Sequence, residues 1–192
     1  MAGGSARGPL EATNLNTEAD WQREVLDASM DGPVVVMVGA GSCPYCHDTQ
    51  DNAIAPLEAE GFAVGGQDVD FVVIDIQQID MAAGQQAGYS PAAKVNEIVY
   101  EQEPMSRSVP QTVVYYQGER LDAKAVGAMS QEALAEFVRD TAGQDVARNQ
   151  ALGAVQGCSG VGTDVELSDD VQPAPQAGVP DASPEVTTCN AR

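Results

Sequence analysis

The stretch VVVMVGAGSCPYCHDT, residues 34–49, decides the fold, because it joins a strand to a helix through a glycine-rich turn that carries two cysteines. Residues 34–38 form a continuous apolar run, which is typical of a strand buried on both faces. Pro44 is tolerated in the first turn of a helix, so the pattern predicts a helix from Pro44 to Glu60 that is kinked or broken at Pro56. The cysteines should therefore lie at the start of that helix.

Further elements are predicted on both sides of this segment. A helix begins at Thr17, which forms a capping box with Asp20, and ends at Gly32-Pro33. The other predicted elements are a strand over residues 71–76, a helix over 91–103, two strands over 109–116 and 119–126 joined by Gln117-Gly118, and a helix that is capped by Ser130 and ends near Thr141. This order predicts a mixed sheet with helices on both faces.

Composition divides the chain into three parts. Residues 1–16 are small and polar without periodicity, so they are predicted to form a flexible N-terminal arm. Residues 17–142 hold all of the predicted helices and strands. Residues 143–192 contain four prolines and no aromatic residue or isoleucine. Such a segment buries too little apolar surface to offset the entropy of ordering, so an acidic low-complexity tail is predicted, disordered or ordered by a partner.

The charge of the chain limits its partners. The 29 acidic and 9 basic residues give a formal net charge of -20. This surface repels phosphates, so no nucleic-acid partner is predicted, and it is typical of a saline environment or of cationic partners. The N-terminus lacks the apolar stretch of a secretory signal, and the longest apolar run, residues 34–40, is too short to span a membrane. We therefore predict a cytoplasmic protein without membrane contact, in a saline environment or bound to an assembly.

The C-x-x-C-H motif of Cys43, Cys46 and His47 is compatible with three kinds of site, namely haem attachment, half of a zinc site or a redox dithiol. Haem needs a second axial ligand, and His47 is the only histidine. Zinc needs about four ligands, so the motif would have to recruit Cys158 or Cys189 from the tail. Cysteines three residues apart at a helix start are close enough for a disulfide, and the strand-loop-helix setting favours this dithiol.

The position of each cysteine predicts its role in disulfide exchange. The helix N-terminus favours negative charge at Cys43, so its thiolate is expected to form near neutral pH and to act as the nucleophile. Cys46, one turn inward and more shielded, is the resolving cysteine. Pro44 and Tyr45 tune the redox poise through the stability of the reduced thiolate. His47 either stabilises that thiolate when protonated or is an exposed polar residue of the first turn.

The other two cysteines, Cys158 and Cys189, flank an acidic, proline-bearing part of the tail. A mutual disulfide, two free thiols and links to another chain all remain open. A mutual disulfide would restrict the unfolded chain, but it would not persist in a reducing cytosol. The sequence contains no phosphate-binding loop, serine triad or carboxylate pair that stands out, so it predicts no cofactor and no metal.

Several local sequences, taken with the order of elements, resemble the thioredoxin fold. The resemblance rests on SVPQTVVYYQGERL (108–121), VGAMSQEALAEFV (126–138), IAPLEAEG (54–61) and the C-P-Y-C tetrad (43–46). The tetrad and the V-P-Q tripeptide are more similar to glutaredoxins, whereas the hairpin and last helix are more similar to thioredoxins. The resemblance covers residues 17–142 and implies a three-layer α/β/α fold with a mixed central sheet, followed by a long irregular acidic tail.

The resemblance also implies site residues. Pro110 is similar to the family's cis-proline, which lies opposite the dithiol, and Val109 before it is expected to present its backbone for pairing with the substrate. One departure concerns Met37, which stands where thioredoxins carry a buried aspartate that assists proton transfer.

Two functions follow from these expectations. The first is a thiol-disulfide oxidoreductase, similar to thioredoxin- and glutaredoxin-like protein-disulfide reductases, that acts on a disulfide-containing protein or a small thiol substrate through Cys43 and Cys46. The second is a structural or adaptor subunit of a larger assembly, anchored through residues 143–192, in which the dithiol is not essential.

Overall fold

The computed structural model describes residues 8–79, 91–100 and 108–158. Helix α1 covers residues 18–31 and contains α-helical Glu18–Trp21, π-helical Gln22–Asp27 and α-helical Ala28–Asp31. Helix α2 covers residues 44–60 and contains α-helical Pro44–Thr49, π-helical Gln50–Ile54 and α-helical Ala55–Glu60. The remaining helices are α3, Pro91–Tyr100, and α4, Gln131–Cys158. The strands are β1 (Val34–Gly39), β2 (Ala63–Val64), β3 (Gln67–Asp68), β4 (Asp70–Asp75), β5 (Gln111–Tyr116) and β6 (Glu119–Val126).

Four strands form a mixed central sheet in the order β4-β1-β5-β6. Strand β1 is parallel to β4, with Val36 opposite Val72, and antiparallel to β5, with Val36 opposite Val113. Strands β5 and β6 are antiparallel. They are joined by Gln117 and Gly118 at φ of 53° and 78°, the left-handed conformation that two-residue hairpins require. The mixed sheet and this hairpin are as predicted.

The side chains of β1 alternate between two apolar layers, because successive residues of a strand point to opposite faces. Val35 and Met37 pack with residues of α2 and α4, whereas Val34, Val36 and Val38 pack with residues of α1 and α3. All five side chains are fully buried. The predicted three-layer α/β/α arrangement is confirmed.

The capping box at the start of α1 is also as predicted. Thr17 Oγ1 accepts a hydrogen bond from the Asp20 backbone N–H at 3.2 Å, and the Asp20 carboxylate accepts one from the Thr17 N–H at 2.9 Å. These bonds satisfy two donors that the helix start leaves without intrahelical partners. Trp21 and Val25 then face the core at 2% and 0% exposure.

The kink or break predicted in α2 is observed as a π-helical turn, which is wider than an α-helical turn. Pro56 has no backbone N–H to donate, and the π-helical stretch Gln50–Ile54 precedes it. The helix continues beyond Pro56 to Glu60. It ends at Gly61, whose φ of 66° is the left-handed conformation common after a helix.

The strand and helix bounds agree with the predicted ones to within two residues, apart from the elements corrected below. Strand β5 begins at Gln111 rather than at Val109, because Pro110 has no N–H for the ladder. Helix α3 begins at the predicted Pro91. The last predicted residues of that helix lie in the segment 101–107, outside the described residues.

Residues 8–16 pack along the edge of β4, so the prediction of a flexible arm is wrong for this part of the chain. Leu10 and Leu15 are 3% and 5% exposed. The Thr13 backbone N–H donates to the Val73 carbonyl oxygen at 2.8 Å, and Thr13 Oγ1 accepts from the Val73 N–H at 3.2 Å. Burial of the leucines and these bonds to an edge strand offset the entropy of ordering the segment. Residues 1–7 of the predicted arm lie outside the described residues.

Helix α4 continues to Cys158, so the predicted helix end near Thr141 and the predicted tail start at residue 143 are wrong. Asn149 Nδ2 donates to Tyr116 Oη at 3.2 Å, and Gln150 donates to the Gly65 carbonyl oxygen. Four fully buried residues recur at every fourth position and extend the apolar stripe past the predicted end: Leu134, Val138, Ala142 and Val146. This spacing places them on one side of the helix and compensates for the low apolar content of the segment. Residues 159–192 of the predicted tail lie outside the described residues.

Strands β2 and β3 form a small hairpin that the sequence analysis missed. Gly65 and Gly66 connect them at φ of 59° and 81°. A Gly-Gly pair between two short segments is a hairpin signal, but two-residue strands show no alternation by which to recognise them. Val146 packs on this hairpin, since a β-carbon at position 65 would lie 2.7 Å from its Cγ1.

None of the helices in the described ranges is long and apolar enough to span a bilayer.

Candidate active site

Cys43 occupies the N-cap position of α2. Its backbone is extended, with φ of -95° and ψ of 110°, and Pro44 follows at the first helical position. The Cys43 N–H donates to the Ala40 carbonyl oxygen at 2.9 Å, which closes the turn between β1 and α2. The Cys46 backbone N–H points at Cys43 Sγ across 3.2 Å. The sulfur of Cys43 therefore lies where a helix start favours negative charge.

Cys46 lies one turn into α2 and is fully buried, at 0% exposure. The two sulfurs are paired as a disulfide, with the Cα atoms 5.3 Å apart, within the usual range for such bonds. Cys43 is only partly buried. An external reactant therefore meets Cys43 first.

Val109 and Pro110 lie beside the dithiol. The Val109 carbonyl oxygen is 3.5 Å from Cys43 Sγ, and the Val109–Pro110 peptide bond is cis. The Pro110 carbonyl oxygen accepts a hydrogen bond from the Gly127 N–H at 2.9 Å, which ties this segment to the end of β6. The fold thus brings Val109 against Cys43, although the two residues are 66 positions apart in sequence.

The two residues between the cysteines face solvent. Pro44 is exposed, and 64% of Tyr45 is exposed. The backbone of Tyr45 is held in the helix, and its carbonyl oxygen also accepts a hydrogen bond from Thr49 Oγ1 at 3.0 Å. The phenol ring is therefore presented on the outer surface beside Cys43.

His47 is buried, so the interpretation of an exposed first-turn residue is wrong. Its side chain is 8% exposed, and Nε2 lies 2.9 Å from the Gly41 carbonyl oxygen. Because a carbonyl oxygen only accepts, Nε2 carries the proton and donates it. The imidazole therefore holds the turn that precedes Cys43.

Asp75, at the end of β4, is a buried carboxylate that the sequence analysis missed. It is 1% exposed. It accepts hydrogen bonds from the backbone N–H groups of Leu10 (3.2 Å), Gly41 (3.1 Å) and Gln77 (2.9 Å), and from Gln78 Nε2 (3.1 Å). Burial on its own would raise the pKa of Asp75, but these hydrogen bonds outweigh burial, so the pKa is lowered from its ordinary value. The carboxylate stays ionised and joins the N-terminal segment to the turn before Cys43.

A second pair of hydrogen bonds fixes the same turn. The Ser42 N–H donates to Gln77 Oε1 at 3.1 Å, and Gln77 Nε2 donates to Ser42 Oγ at 2.8 Å. Asp75 ends β4 and Gln77 follows it, and β4 runs parallel to β1. The carboxyl ends of parallel strands meet at one edge of a sheet, and this was the signal that places Asp75 near the dithiol.

Met37, which stands where thioredoxins carry an aspartate, is fully buried in the apolar layer against α2 and α4. It pairs with Val73 on β4 and with Thr112 on β5. A buried carboxylate near the turn of residues 40–43, which we call the redox turn, is that of Asp75.

The described residues contain no group of three or more histidine, cysteine and acidic side chains arranged for a metal ion. Cys43 and Cys46 are paired with each other, and His47 Nε2 is directed to Gly41. The side chains of Cys158 and Cys189, which the zinc alternative requires, lie outside the described residues.

The strand order, the two helical layers and a close cysteine pair at the start of α2 now decide the architecture. The fold is thioredoxin-like. Two cysteines paired as a disulfide at a helix start, one of them only partly buried, are chemically suited to thiol-disulfide exchange.

Comparison with known proteins gives distant structural likenesses. A thioredoxin from Fasciola hepatica is 20% identical, with a TM-score of 0.45, over 66% of this chain and 96% of that one. A malaria parasite thioredoxin-2, described as a component of the parasite's protein secretion machinery, is 12% identical, with a TM-score of 0.37, over 57% of this chain and 82% of that one. No protein-family model and no curated protein matches the sequence. Residue roles therefore rest on the geometry of this chain.

Proposed function

We propose that the protein is a thiol-disulfide oxidoreductase in which Cys43 is the nucleophile and Cys46 is the resolving cysteine. The observation that carries the proposal is the position of Cys43 Sγ, 3.2 Å from the Cys46 N–H at the start of α2 and beside a fully buried partner sulfur. The amide end of the helix stabilises the Cys43 thiolate, which is the form that attacks disulfides.

The reaction has two exchange steps. The Cys43 thiolate attacks one sulfur of a substrate disulfide, forms a mixed disulfide and releases the other substrate sulfur as a thiolate. The Cys46 thiolate then attacks Cys43 Sγ, which forms the Cys43–Cys46 disulfide and releases the second substrate thiolate. Two electrons pass from the protein dithiol to the substrate, and an external dithiol returns them.

The substrate is a protein disulfide or a small-molecule disulfide that can reach the partly exposed Cys43. Val109, whose carbonyl oxygen lies 3.5 Å from Cys43 Sγ, is positioned to pair its backbone with an extended substrate segment, and Pro110 holds Val109 in place through its hydrogen bond with Gly127. Pro44 and Tyr45 tune the stability of the thiolate from the exposed side. His47 tunes it from the buried side through the turn that it holds.

A disulfide-reduction assay with dithiothreitol as the electron donor tests the proposal. The Cys43→Ser variant should lose turnover to the level of the uncatalysed reaction. Reduced Cys46→Ser, mixed with the substrate after dithiothreitol has been removed, should accumulate a mixed disulfide because it has no resolving thiol. A Cys158→Ser, Cys189→Ser double variant is the matched control and should keep the wild-type rate. Equal turnover in the wild type and Cys43→Ser would overturn the proposal, as would the absence of turnover in the wild type.

The direction of the reaction follows from the reduction potential of the Cys43–Cys46 couple. Equilibration with glutathione buffers of known ratio, followed by quantification of free thiols, measures this potential. A value near those of reducing thioredoxins would make the protein a reductant, and a value nearer those of disulfide-forming proteins would make it an oxidant. No contact in the described part of the chain favours the alternative of an adaptor with a dispensable dithiol.

A further inference from the structure

The N-terminal segment crosses over the redox turn on its way to the edge of β4. We call residues 9–13 the strap. A β-carbon at Gly41 would lie 2.9 Å from Pro9 Cα, so the strap backbone lies directly against this turn. The strap is thus part of the wall around the dithiol, although it lies far before Cys43 in sequence.

Leu10 of the strap lies close to the buried sulfur. A β-carbon at Gly39 would lie 2.8 Å from Leu10 Cδ1, 3.1 Å from Cys46 Cβ and 3.2 Å from Cys46 Sγ. Leu10 and Cys46 therefore both border the space above Gly39, where a larger residue would not fit. Leu10 is 3% exposed and Cys46 is 0% exposed, in the same apolar layer.

Hydrogen bonds anchor the strap to the end of β4 and to α2. On the β4 side, the Leu10 N–H donates to Asp75 at 3.2 Å and the Leu10 carbonyl oxygen accepts from Gln78 Nε2 at 3.1 Å. On the α2 side, the Glu11 N–H donates to Gln50 Oε1 at 3.2 Å and the Glu11 carbonyl oxygen accepts from Gln50 Nε2 at 2.7 Å. Gln50 lies four residues after Cys46, and so on the same face of the helix.

Shielding of Cys46 matters because, without it, an external thiolate would attack Cys46 faster than Cys43. When an external thiolate attacks the Cys43–Cys46 disulfide, the more stable thiolate leaves faster. The helix start stabilises the Cys43 thiolate, so attack on Cys46 with release of Cys43 would be the faster route if both sulfurs were equally accessible. Restricted access to Cys46 is therefore needed to direct the reaction to Cys43.

We propose that Leu10 is a specificity-determining residue that closes Cys46 to external thiols and disulfides, so that intermolecular exchange takes place at Cys43. This role rests on the proposed oxidoreductase function. An incoming thiolate then forms its bond to Cys43 Sγ, the Cys43–Cys46 bond breaks, and Cys46 leaves as a thiolate. In the reverse direction Cys46 reacts only with the mixed disulfide held on Cys43.

Alkylation of Cys46 tests this shielding directly. In a Cys43→Ser, Cys158→Ser, Cys189→Ser background, Cys46 is the only thiol of the full-length chain. Leu10→Ala in this background should raise the iodoacetamide alkylation rate of Cys46 roughly tenfold or more. Without the leucine side chain, iodoacetamide reaches the sulfur through a local opening rather than through a larger unfolding event. Gln50→Ala, which removes an anchor of the strap and keeps Leu10, should raise the rate in the same direction.

Leu15→Ala is the matched control. Leu15 is buried to a similar degree, at 5% exposure, in the same N-terminal segment, but it packs in the other apolar layer. Its truncation should lower global stability comparably and leave Cys46 protected. Urea unfolding of all variants, measured alongside, identifies any variant whose alkylation reflects global unfolding.

Two results would overturn the proposal: an unchanged alkylation rate in Leu10→Ala, or equal rate increases in Leu10→Ala and Leu15→Ala at equal stability. If the proposed oxidoreductase function is wrong, the wild type will show no disulfide turnover, whereas the accessibility of Cys46 to alkylation will not change.

Discussion

The two ends of β4 carry aspartates in opposite environments. Asp75, at the carboxyl end, is 1% exposed and accepts four hydrogen bonds, and its pKa is lowered. Asp70, at the other end, lies at the exposed surface, and its pKa is raised first by partial desolvation of the carboxyl and then by the negative charges of Asp68, Glu24 and Asp31. The more buried carboxylate is thus the one that more readily keeps its charge.

This difference shows that donors, rather than exposure, decide the charge of a carboxylate here. Desolvation opposes ionisation of both residues, but only at Asp75 do oriented N–H groups outweigh it. The donors at Asp75 come from the strap, the redox turn and the residues after β4, so its charge holds together the segments around Cys43. Asp70 pairs with Val34 at the start of β1, at the end of the strand away from the dithiol.

Asp75→Asn should have the largest effect of the changes at the two ends of β4. The amide keeps one acceptor oxygen but directs an NH₂ group at N–H donors that remain buried. We expect a loss of about 1.5 to 3 kcal/mol in the free energy of unfolding, the range for hydrogen bonds to charged groups. Urea unfolding measures this loss, with Asp70→Asn as the control on the same strand. A loss no greater than that of the control would contradict the view that the donors make Asp75 a stabilising charge.

The pH dependence of stability should differ in sign between the two aspartates. The folded-state pKa of Asp75 is lowered, so its contribution is present above the pKa of an unfolded aspartate and is lost as the pH falls through the folded value. The folded-state pKa of Asp70 is raised, so its contribution is greatest at low pH and is lost as the pH rises through the folded value.

Unfolding free energies measured between about pH 7 and pH 3 test these signs. The acid-induced loss of stability should be smaller in Asp75→Asn than in the wild type, and larger in Asp70→Asn. If Asp75→Asn kept the full wild-type slope, Asp75 could not be the carboxylate whose pKa is lowered.

The sequence predicted the layers of this fold well because their signals are local. The apolar run at residues 34–38, the capping box at Thr17 and the Gln117-Gly118 turn each identify an element without reference to the rest of the chain. The errors lie at the two ends, where order depends on tertiary contacts. Leu10 and Leu15 have no periodicity and are buried only because the edge of β4 is there to receive them.

The candidate site was predictable in part for the same reason. The C-x-x-C spacing at a helix start placed Cys43 and Cys46 on one turn, as found. Asp75 and Leu10 were not found, because their relation to the dithiol exists only after β4 pairs with β1 and the strap folds over the turn. For Asp75 a signal was present: a charged residue ends a buried strand, at the same sheet edge as the cysteines.

The continuation of α4 also had a signal, in the four-residue spacing that leads to Val146.

Asp70→Asn should change the free energy of unfolding less than Asp75→Asn does, and in the opposite direction. Removal of this charge relieves repulsion with Asp68 and Glu24, and it also removes a charge that contributes to the raised pKa of Glu58, after the larger effect of that residue's own burial. Solvent screens these groups, so we expect a gain in the free energy of unfolding of about 0.5 kcal/mol or less. Because the Debye length falls to about 3 Å at 1 M salt, the gain should shrink as salt is added. Glu136→Gln, on the exposed surface of α4 beyond its first turn, is the control for a general effect of net charge. A gain that is equal in both variants, or that does not change with salt, would show that the acidic end of β4 is not a site of local repulsion.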